Sequence, residues 1–266
     1  MFEVGEVYNR RADIHRPYGG QWQGGISTPS RWPLIFLFTG ESGEQYGYED
    51  GWDENGVFLY TGEGQVGKME FVRGNRAIRD HALNGKDLHL FQSLSKGEGY
   101  RYLGRFTSPT WEFREGVDVN GDERQVIVFH LIQPEEDDEP TAPTKGSATL
   151  SQLRHRALEA ASEAGERNPR EARRLYHQRS AAVREYVLIR ADGTCESCGS
   201  SAPFRREDGT PYLEPHHTRR LSDGGPDHPQ WVGGVCPNCH REIHHGADGE
   251  QKNIRLQRYL SELEAT

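Results

Sequence analysis

Four cysteines fall in two pairs of identical spacing, Cys195-Glu-Ser-Cys198 and Cys236-Pro-Asn-Cys239. A C-x2-C turn presents two thiolates on one tight loop, and two such turns complete a tetrahedral zinc site. Four sulfur ligands leave no open position for chemistry, so this zinc is read as structural. A redox role for either turn would need a thioredoxin-like setting, which the surrounding sequence does not have. Histidines cluster around these knuckles. His216 and His217 are adjacent between them, and His240 and His244 follow Cys239 at a spacing of four. Residues four apart share one helix face and can hold one metal ion. Neighbours on a strand point to opposite sides. One of the adjacent histidines can therefore join that ion while the other faces a substrate. Histidine has the pKa to take a proton from water near neutrality. A divalent ion on neutral imidazoles can stabilise a phosphoryl transition state and the departing 3′ oxygen. The chemistry these residues suit is phosphodiester hydrolysis.

The order Leu213-Glu-Pro-His-His217, Leu221-Ser-Asp-Gly-Gly225, then Cys236-Pro-Asn-Cys-His240 and His244 resembles the HNH nucleases, in particular the zinc-stabilised HNH domains of McrA-type restriction enzymes. The resemblance implies a ββα-metal fold over residues 183–250. It implies His217 as general base and His216, His240 and His244 as ligands of a catalytic divalent ion (Mg2+, Mn2+, Ni2+ or Co2+). Cys195, Cys198, Cys236 and Cys239 would hold the structural Zn2+. The family's middle asparagine, which orients the base, stands five residues before the third cysteine. Here that residue is Trp231. The orienting role then falls to nearby His228 or to a backbone carbonyl.

A second constellation lies in the first half. Tyr48-Glu-Asp50-Gly-Trp52 precedes Phe58-Leu-Tyr60-Thr61-Gly62-Glu-Gly64, followed by Arg73-Gly-Asn-Arg-Ala-Ile78 and Gly85-Lys-Asp-Leu-His-Leu-Phe91. Aromatic rings flanking a carboxylate suit an extruded base: the rings stack on its faces and the acid accepts from the cytosine amino group. Glycines beside such a pocket let the backbone approach its ligand. The ordered set, over roughly residues 20–131, resembles the SRA (SET- and RING-associated) domain. That resemblance implies flipping of 5-methylcytosine or 5-hydroxymethylcytosine from duplex DNA. Tyr48 and Tyr60 would sandwich the base, Asp50 would bind its polar edge and Thr61 would line the pocket. Asp53 and Trp52 compete with Asp50 for a place there.

These sites need elements to carry them. Runs at 33–39, 56–61 and 125–132 are rich in β-branched and aromatic residues and are bounded by glycine-containing turns, which predicts strands. One helix is expected near Gly74–Asn84. Residues 149–190 carry leucines and valines at helical spacing, broken at Asn168-Pro169, and a closing helix is expected over Lys252–Leu263. Pro134 through Ser147 is acidic and Pro-rich, and reads as a linker. The expected class is α+β. An SRA-like curved barrel or sheet domain (1–133) is followed by the linker (134–147), a helical connector (148–182) and an HNH domain with its closing helix (183–266).

The formal net charge of the 266 residues is −9. Part of that acidity belongs to the linker. It disfavours tight non-specific phosphate binding and suits a selective reader. A mean hydropathy of −0.86 and the lack of a long apolar run predict no membrane span. Cysteine usage and the polar start of the chain predict a cytoplasmic location without disulfides. The reading is a restriction endonuclease that recognises duplex DNA containing a modified cytosine. Cutting both strands with one nuclease site per chain implies a homodimer, for which the 149–190 helices offer a surface. A non-catalytic methylated-DNA reader with a degenerate HNH domain is one alternative. A sequence-specific nicking or homing-type nuclease is another.

Overall fold

The computed structural model describes residues 2–40, 50–95, 97–134, 148–162, 165–219 and 227–265. The linker beyond Pro134, the Leu221–Gly225 motif and Tyr48 lie outside them. Two compact units are present: Met1–Pro134 with Glu163–Leu175, and Glu135–Ser162 with Tyr176–Thr266. Residues 148–182 are thus shared between the units.

In the first unit the elements are β1 (Val7–Tyr8), a π-helical turn (Arg10–His15), α1 (Arg16–Tyr18), β2 (Ile26–Ser27), β3 (Leu34–Thr39), β4 (Gly51–Trp52), β5 (Phe58–Thr61), α2 (Arg73–Arg79), β6 (Asp87–Ser93), β7 (Tyr100–Val117) and β8 (Glu123–Ile132). The short β9 (Gly165–Glu166) joins them in parallel with β7. The sheet runs β2-β3-β6-β7-β8-β5-β4 and is open, since β2 and β4 do not pair. Among the described residues it does not close into a barrel. Strand β7 does most to shape it. Its first part pairs with β6 as far as Phe106 and the rest pairs with β8 from Thr107 onward. The register slips between Thr107 and Thr110, around Pro109, a residue with no N–H to give the ladder. One long strand therefore belongs to both halves of the sheet. Ile35, Leu37, Leu88, Leu90, Phe106 and Phe129 are buried between these strands and α2.

The second unit begins with α3 (Leu150–Ser162). Thr149 and Gln152 cap it reciprocally: Thr149 N donates to Gln152 Oε1 (2.8 Å) and Gln152 N to Thr149 Oγ1 (3.3 Å). The expected break at Asn168-Pro169 is a helix start. Asn168 Oδ1 accepts from Glu171 N (3.0 Å) and Pro169 opens α4 (Pro169–Ala191). After α4 come β10 (Glu214–His217), a 3-10 turn (Pro229–Trp231), β11 (Val232–Val235), α5 (Pro237–His245) and α6 (Gly249–Glu264). Strands β10 and β11 form an antiparallel pair in which His216 faces Gly233 and His217 faces Val232. Among the described residues no helix is long and apolar enough to cross a membrane.

One buried cation ties this unit together. The Arg190 guanidinium, 5% exposed, donates to both Glu196 oxygens (2.8 Å each) and to Glu264 Oε1 (2.8 Å). It also reaches the carbonyls of Pro229 (3.1 Å) and Val232 (2.9 Å). Helix α4, the first knuckle, β11 and the end of α6 thus meet on one side chain. Replacing Arg190 with alanine leaves the buried Glu196 carboxylate without this cation, while Glu264 keeps Arg154 (3.0 Å) and Tyr186 (2.8 Å). Such a loss costs about 3–5 kcal/mol. Chemical denaturation of R190A should show the transition of this unit lowered by that amount, and a loss under about 1 kcal/mol would contradict the role given to the side chain.

Candidate functional site

In the second unit the knuckle turns come together, with the four Cys sulfurs within 4.8 Å of one another. Zn–S bonds of about 2.3 Å on a tetrahedron place sulfurs about 3.8 Å apart, so the four cysteines fit a zinc ion. Cys236 N donates to Cys195 Sγ (3.2 Å), which aligns the two turns. Burial would raise the Cys198 thiol, but hydrogen bonds from Ser200 outweigh it and bring the pKa down to about 6, which favours the thiolate that a metal needs. Cys236 is also the N-cap of α5, with Pro237 at the first helical position and Cys239 N donating to Cys236 Sγ (3.5 Å). The knuckle and the helix that carries His240 and His244 are therefore one construction.

That helix faces β10. His216, His240 and His244 offer ring nitrogens within 4.8 Å of one another, and their ring centroids are 4.9–5.1 Å apart. His216 Nε2 meets Asn253 Oδ1 (3.1 Å), while its buried Nδ1 has no hydrogen-bond partner among the described residues. Burial, reinforced by the neighbouring histidines and only partly offset by the Asn253 bond, pushes the His216 pKa down to about 3, so the ring is neutral at neutral pH. His240 Nδ1 donates to Glu214 Oε2 (2.6 Å), and this bond holds the Glu214 carboxyl below its usual range. A buried lone pair beside two further imidazoles, with a carboxylate behind one of them, is a donor set that fits a divalent ion.

His217 faces away from this cluster. It is buried, and its Nε2 lies 2.9 Å from Asp227 Oδ1. His228 takes no part: its Nδ1 accepts from Gln230 N (3.2 Å), capping the 3-10 turn. Trp231 offers its carbonyl to Thr218, accepting from N (2.8 Å) and Oγ1 (3.0 Å). Asp227, Asn253 and the partnership of Glu214 were not apparent from the sequence. Asp227 carries a weak signal, as an acid ten residues after the adjacent histidines. Asn253 carries none.

The first unit holds a cavity of about 390 Å³. Gly24, Gly25, Gly40, Gly62 and Gly64 line it, with Phe38, Tyr60 and Tyr100, and Asp50, Thr39 and Thr61 form a polar wall. Asp50 Oδ1 accepts from Thr61 N (2.7 Å). Burial raises the Asp50 pKa, and bonds from Thr61 and Thr39 oppose the rise. Tyr60 is wholly buried and its hydroxyl donates to the Gly25 carbonyl (2.9 Å), so it is part of the core as well as of the wall. Trp52 is 51% exposed, packs on Phe58 and Phe106, and is not among the lining residues. Asp53 does not line the cavity either: its carboxylate caps the turn through the N–H groups of Asn55 and Val57. Tyr48 lies outside the described residues. Phe38 and Tyr100 were missed because alternation along a strand does not say which face meets a cavity.

The loop after Tyr60 is held by the buried Asn75 of α2. Its Oδ1 accepts from Glu63 N (2.7 Å) and its Nδ2 donates to the carbonyls of Glu63 (2.8 Å) and Glu70 (2.9 Å). A Cβ on Gly62 would stand 2.6 Å from Asn75 Oδ1, so the Thr-Gly-Glu turn needs glycine for this close approach.

Two family models match different parts of the chain. A family model described as the ScoMcrA-like SRA domain matches residues 4–154, and one described as HNH endonuclease matches residues 195–246. The chain is 43% identical over 89 residues to the type IV methyl-directed restriction enzyme EcoKMcrA of Escherichia coli (strain K12), a stretch covering 33% of this chain and 32% of that one. The chain thus matches about a third of the length of this curated relative. Among solved structures, the type IV phosphorothioation-dependent restriction endonuclease ScoMcrA is similar at 20% identity and a TM-score of 0.43, over 100% of this chain and 56% of that one. The modification-dependent restriction endonuclease TagI is similar at 22% identity and a TM-score of 0.36, over 92% and 78%. The SRA domain of SUVH5 bound to methylated CHH DNA is similar at 21% identity and a TM-score of 0.36, over 48% and 86%. The first family model covers more than half of the sequence, and the chain belongs to the ScoMcrA-like SRA-domain family, here with an HNH endonuclease segment following in the same chain.

Proposed function

We propose that this protein is a modification-dependent DNA endonuclease. It draws a 5-methylated or 5-hydroxymethylated cytosine out of the duplex and hydrolyses a phosphodiester bond nearby. The observation that carries the reading is the pairing, in one chain, of a glycine-lined cavity walled by a buried carboxyl with a three-histidine site. The identity shared with a methyl-directed restriction enzyme supports it.

In the reader, an extruded base lies against the aromatic wall of Phe38, Tyr60 and Tyr100. Asp50, fixed by Thr61, accepts from the exocyclic amino group. Unstacking the base costs a few kcal/mol, which the pocket returns through stacking and edge bonds. In the nuclease, His217 takes the proton of the attacking water. Because the Asp227 carboxylate accepts, Nε2 carries the ring proton and the lone pair that receives the new one is on Nδ1. Asp227 thereby supplies the orientation that Trp231 lacks, which weighs against a degenerate, non-catalytic domain. His216, His240 and His244 would hold the divalent ion (Mg2+, Mn2+, Ni2+ or Co2+), which supplies charge stabilisation at the phosphate and the leaving oxygen. The four cysteines would hold Zn2+ as a structural ion. A double-strand break would require two chains, and a homodimer acting in the cytoplasm fits that need.

Asp50→Asn keeps an acceptor for Thr61 N but turns an amide toward the base. A donor left unmet in a closed pocket costs about 1–3 kcal/mol. D50N should bind a methylated duplex about ten- to a hundred-fold more weakly than the parent and an unmethylated duplex about equally. Titration of matched duplexes at fixed salt measures this, and equal losses on both would point to a misfolded wall instead. His217→Ala should lower the cleavage rate by at least about 10²-fold while leaving methylated-duplex affinity unchanged. Cleavage by H217A at a tenth of the parent rate would remove histidine 217 from the base role.

A further inference from the structure

The three-histidine cluster has a feature that lies beyond the segment matched by the HNH model, which ends at residue 246. Asn253 stands on the second turn of α6 and reaches back to the hairpin. Its Nδ2 donates to the Thr218 carbonyl (2.6 Å) and its Oδ1 lies 3.1 Å from His216 Nε2. The orientation of this amide follows from chemistry. A backbone carbonyl can only accept, so the amide nitrogen must face Thr218 and the oxygen must face His216. An amide oxygen can in turn only accept, so His216 carries its proton on Nε2. The lone pair is then on Nδ1, the buried atom that has no hydrogen-bond partner among the described residues.

The same logic applied to His240 gives the opposite result. The Glu214 carboxylate accepts from His240 Nδ1 (2.6 Å), which leaves the lone pair on Nε2. Tyr212 Oη donates to the other Glu214 oxygen (3.1 Å) and holds the carboxylate in place. Two neighbouring imidazoles are thus locked as opposite tautomers by two acceptors from different elements.

We infer that Asn253 is a positioning residue of the metal site: it fixes His216 to bind the divalent ion through Nδ1, while Glu214 fixes His240 to bind through Nε2. The assignment rests on the three-histidine site being a metal site. It makes the closing helix part of the nuclease centre. The chain turns tightly to bring that helix into position. Gly249 lies so close to α5 that a Cβ there would stand 2.4 Å from the Ile243 carbonyl oxygen and 2.7 Å from that of Glu242. Lys252 pairs with Glu242 across the same turn. The next residue along is Asn253, which these contacts hold toward β10.

The test uses the full, zinc-loaded chain and Ni2+ as the probe. A crystal structure of the Ni2+-loaded parent should show His216 Nδ1 and His240 Nε2 at bonding distance from the ion, with Asn253 Oδ1 still on His216 Nε2. Calorimetric titration of Asn253→Ala should show Ni2+ affinity lowered about ten- to a hundred-fold, as removal of an outer partner of a ligating histidine does, with zinc content unchanged. His216 bound through Nε2 would overturn the assignment. So would an N253A variant whose melting temperature falls while its Ni2+ affinity stays within about threefold of the parent, since that is the mark of a packing role. A parent that takes up no Ni2+ beyond the cysteine site would overturn the metal-site reading itself and this assignment with it.

Discussion

The gap between strand β10 and helix α5 governs the C-terminal unit, because three ring nitrogens from these two segments converge across it to within 4.8 Å of one another. His216 comes from the strand and His240 and His244 from the helix. The segments are joined through a hairpin and a knuckle, and no local sequence preference sets their separation. The four-cysteine site sets it. Cys236 both belongs to the sulfur cluster and caps α5, so fixing the knuckle fixes the origin of the helix. On the other side, Glu196, between the first two cysteines, accepts from Gly234 N of β11 (2.7 Å) and is itself held by Arg190. The hairpin is thereby referred to the same knuckle. Zinc would be structural in the strict sense that the geometry of the histidine site is built on it.

The first unit meets a different constraint: a cavity of about 390 Å³ opens among its strands while their ladder is kept. The solution is to draw the wall from several elements that the long β7 strand brings together. Strand β3 runs parallel to β6 and contributes Phe38 and Thr39, while β5 contributes Tyr60 and Thr61 from the other half of the sheet. Strand β7 starts at Tyr100 on the cavity and ends in the ladder with β8. Asn75 then closes the glycine turn after Thr61 with three hydrogen bonds from one buried amide. Such a side chain is fully satisfied, so its burial organises the loop instead of destabilising it.

What could be read from sequence was local. The two C-x2-C turns and the i, i+4 histidines are signals of one loop and one helix face, and the structure gathers them as their spacing implies. The β-branched and aromatic runs at 33–39, 56–61 and 125–132 mark the strands found at 34–39, 58–61 and 123–132, and helical spacing marks the closing helix. Partners supplied across the fold were not readable. His228 looked suited to orient His217, but its backbone neighbours use it as a cap, and the carboxylate one residue earlier reaches the ring. Asn253 meets His216 across 37 positions, a separation that no motif spans. The aromatic pocket was legible as a composition but not as a list. Trp52 sits on an exposed edge strand, whereas Phe38 and Tyr100, which look like ordinary core residues in sequence, line the cavity. Strand alternation separates two faces; it does not say which of them bends around a hollow.

Under the proposed function, cleavage requires a modified base read in one unit and an ion held in the other. Cutting of two otherwise identical plasmids, one carrying 5-methylcytosine and one unmodified, by the purified full chain with Mn2+ or Ni2+ tests this most directly. Breaks are expected in the methylated plasmid only, and none when the divalent ion is withheld. Equal cutting of both plasmids, or no cutting of the methylated and hydroxymethylated substrates with any divalent ion, would contradict it.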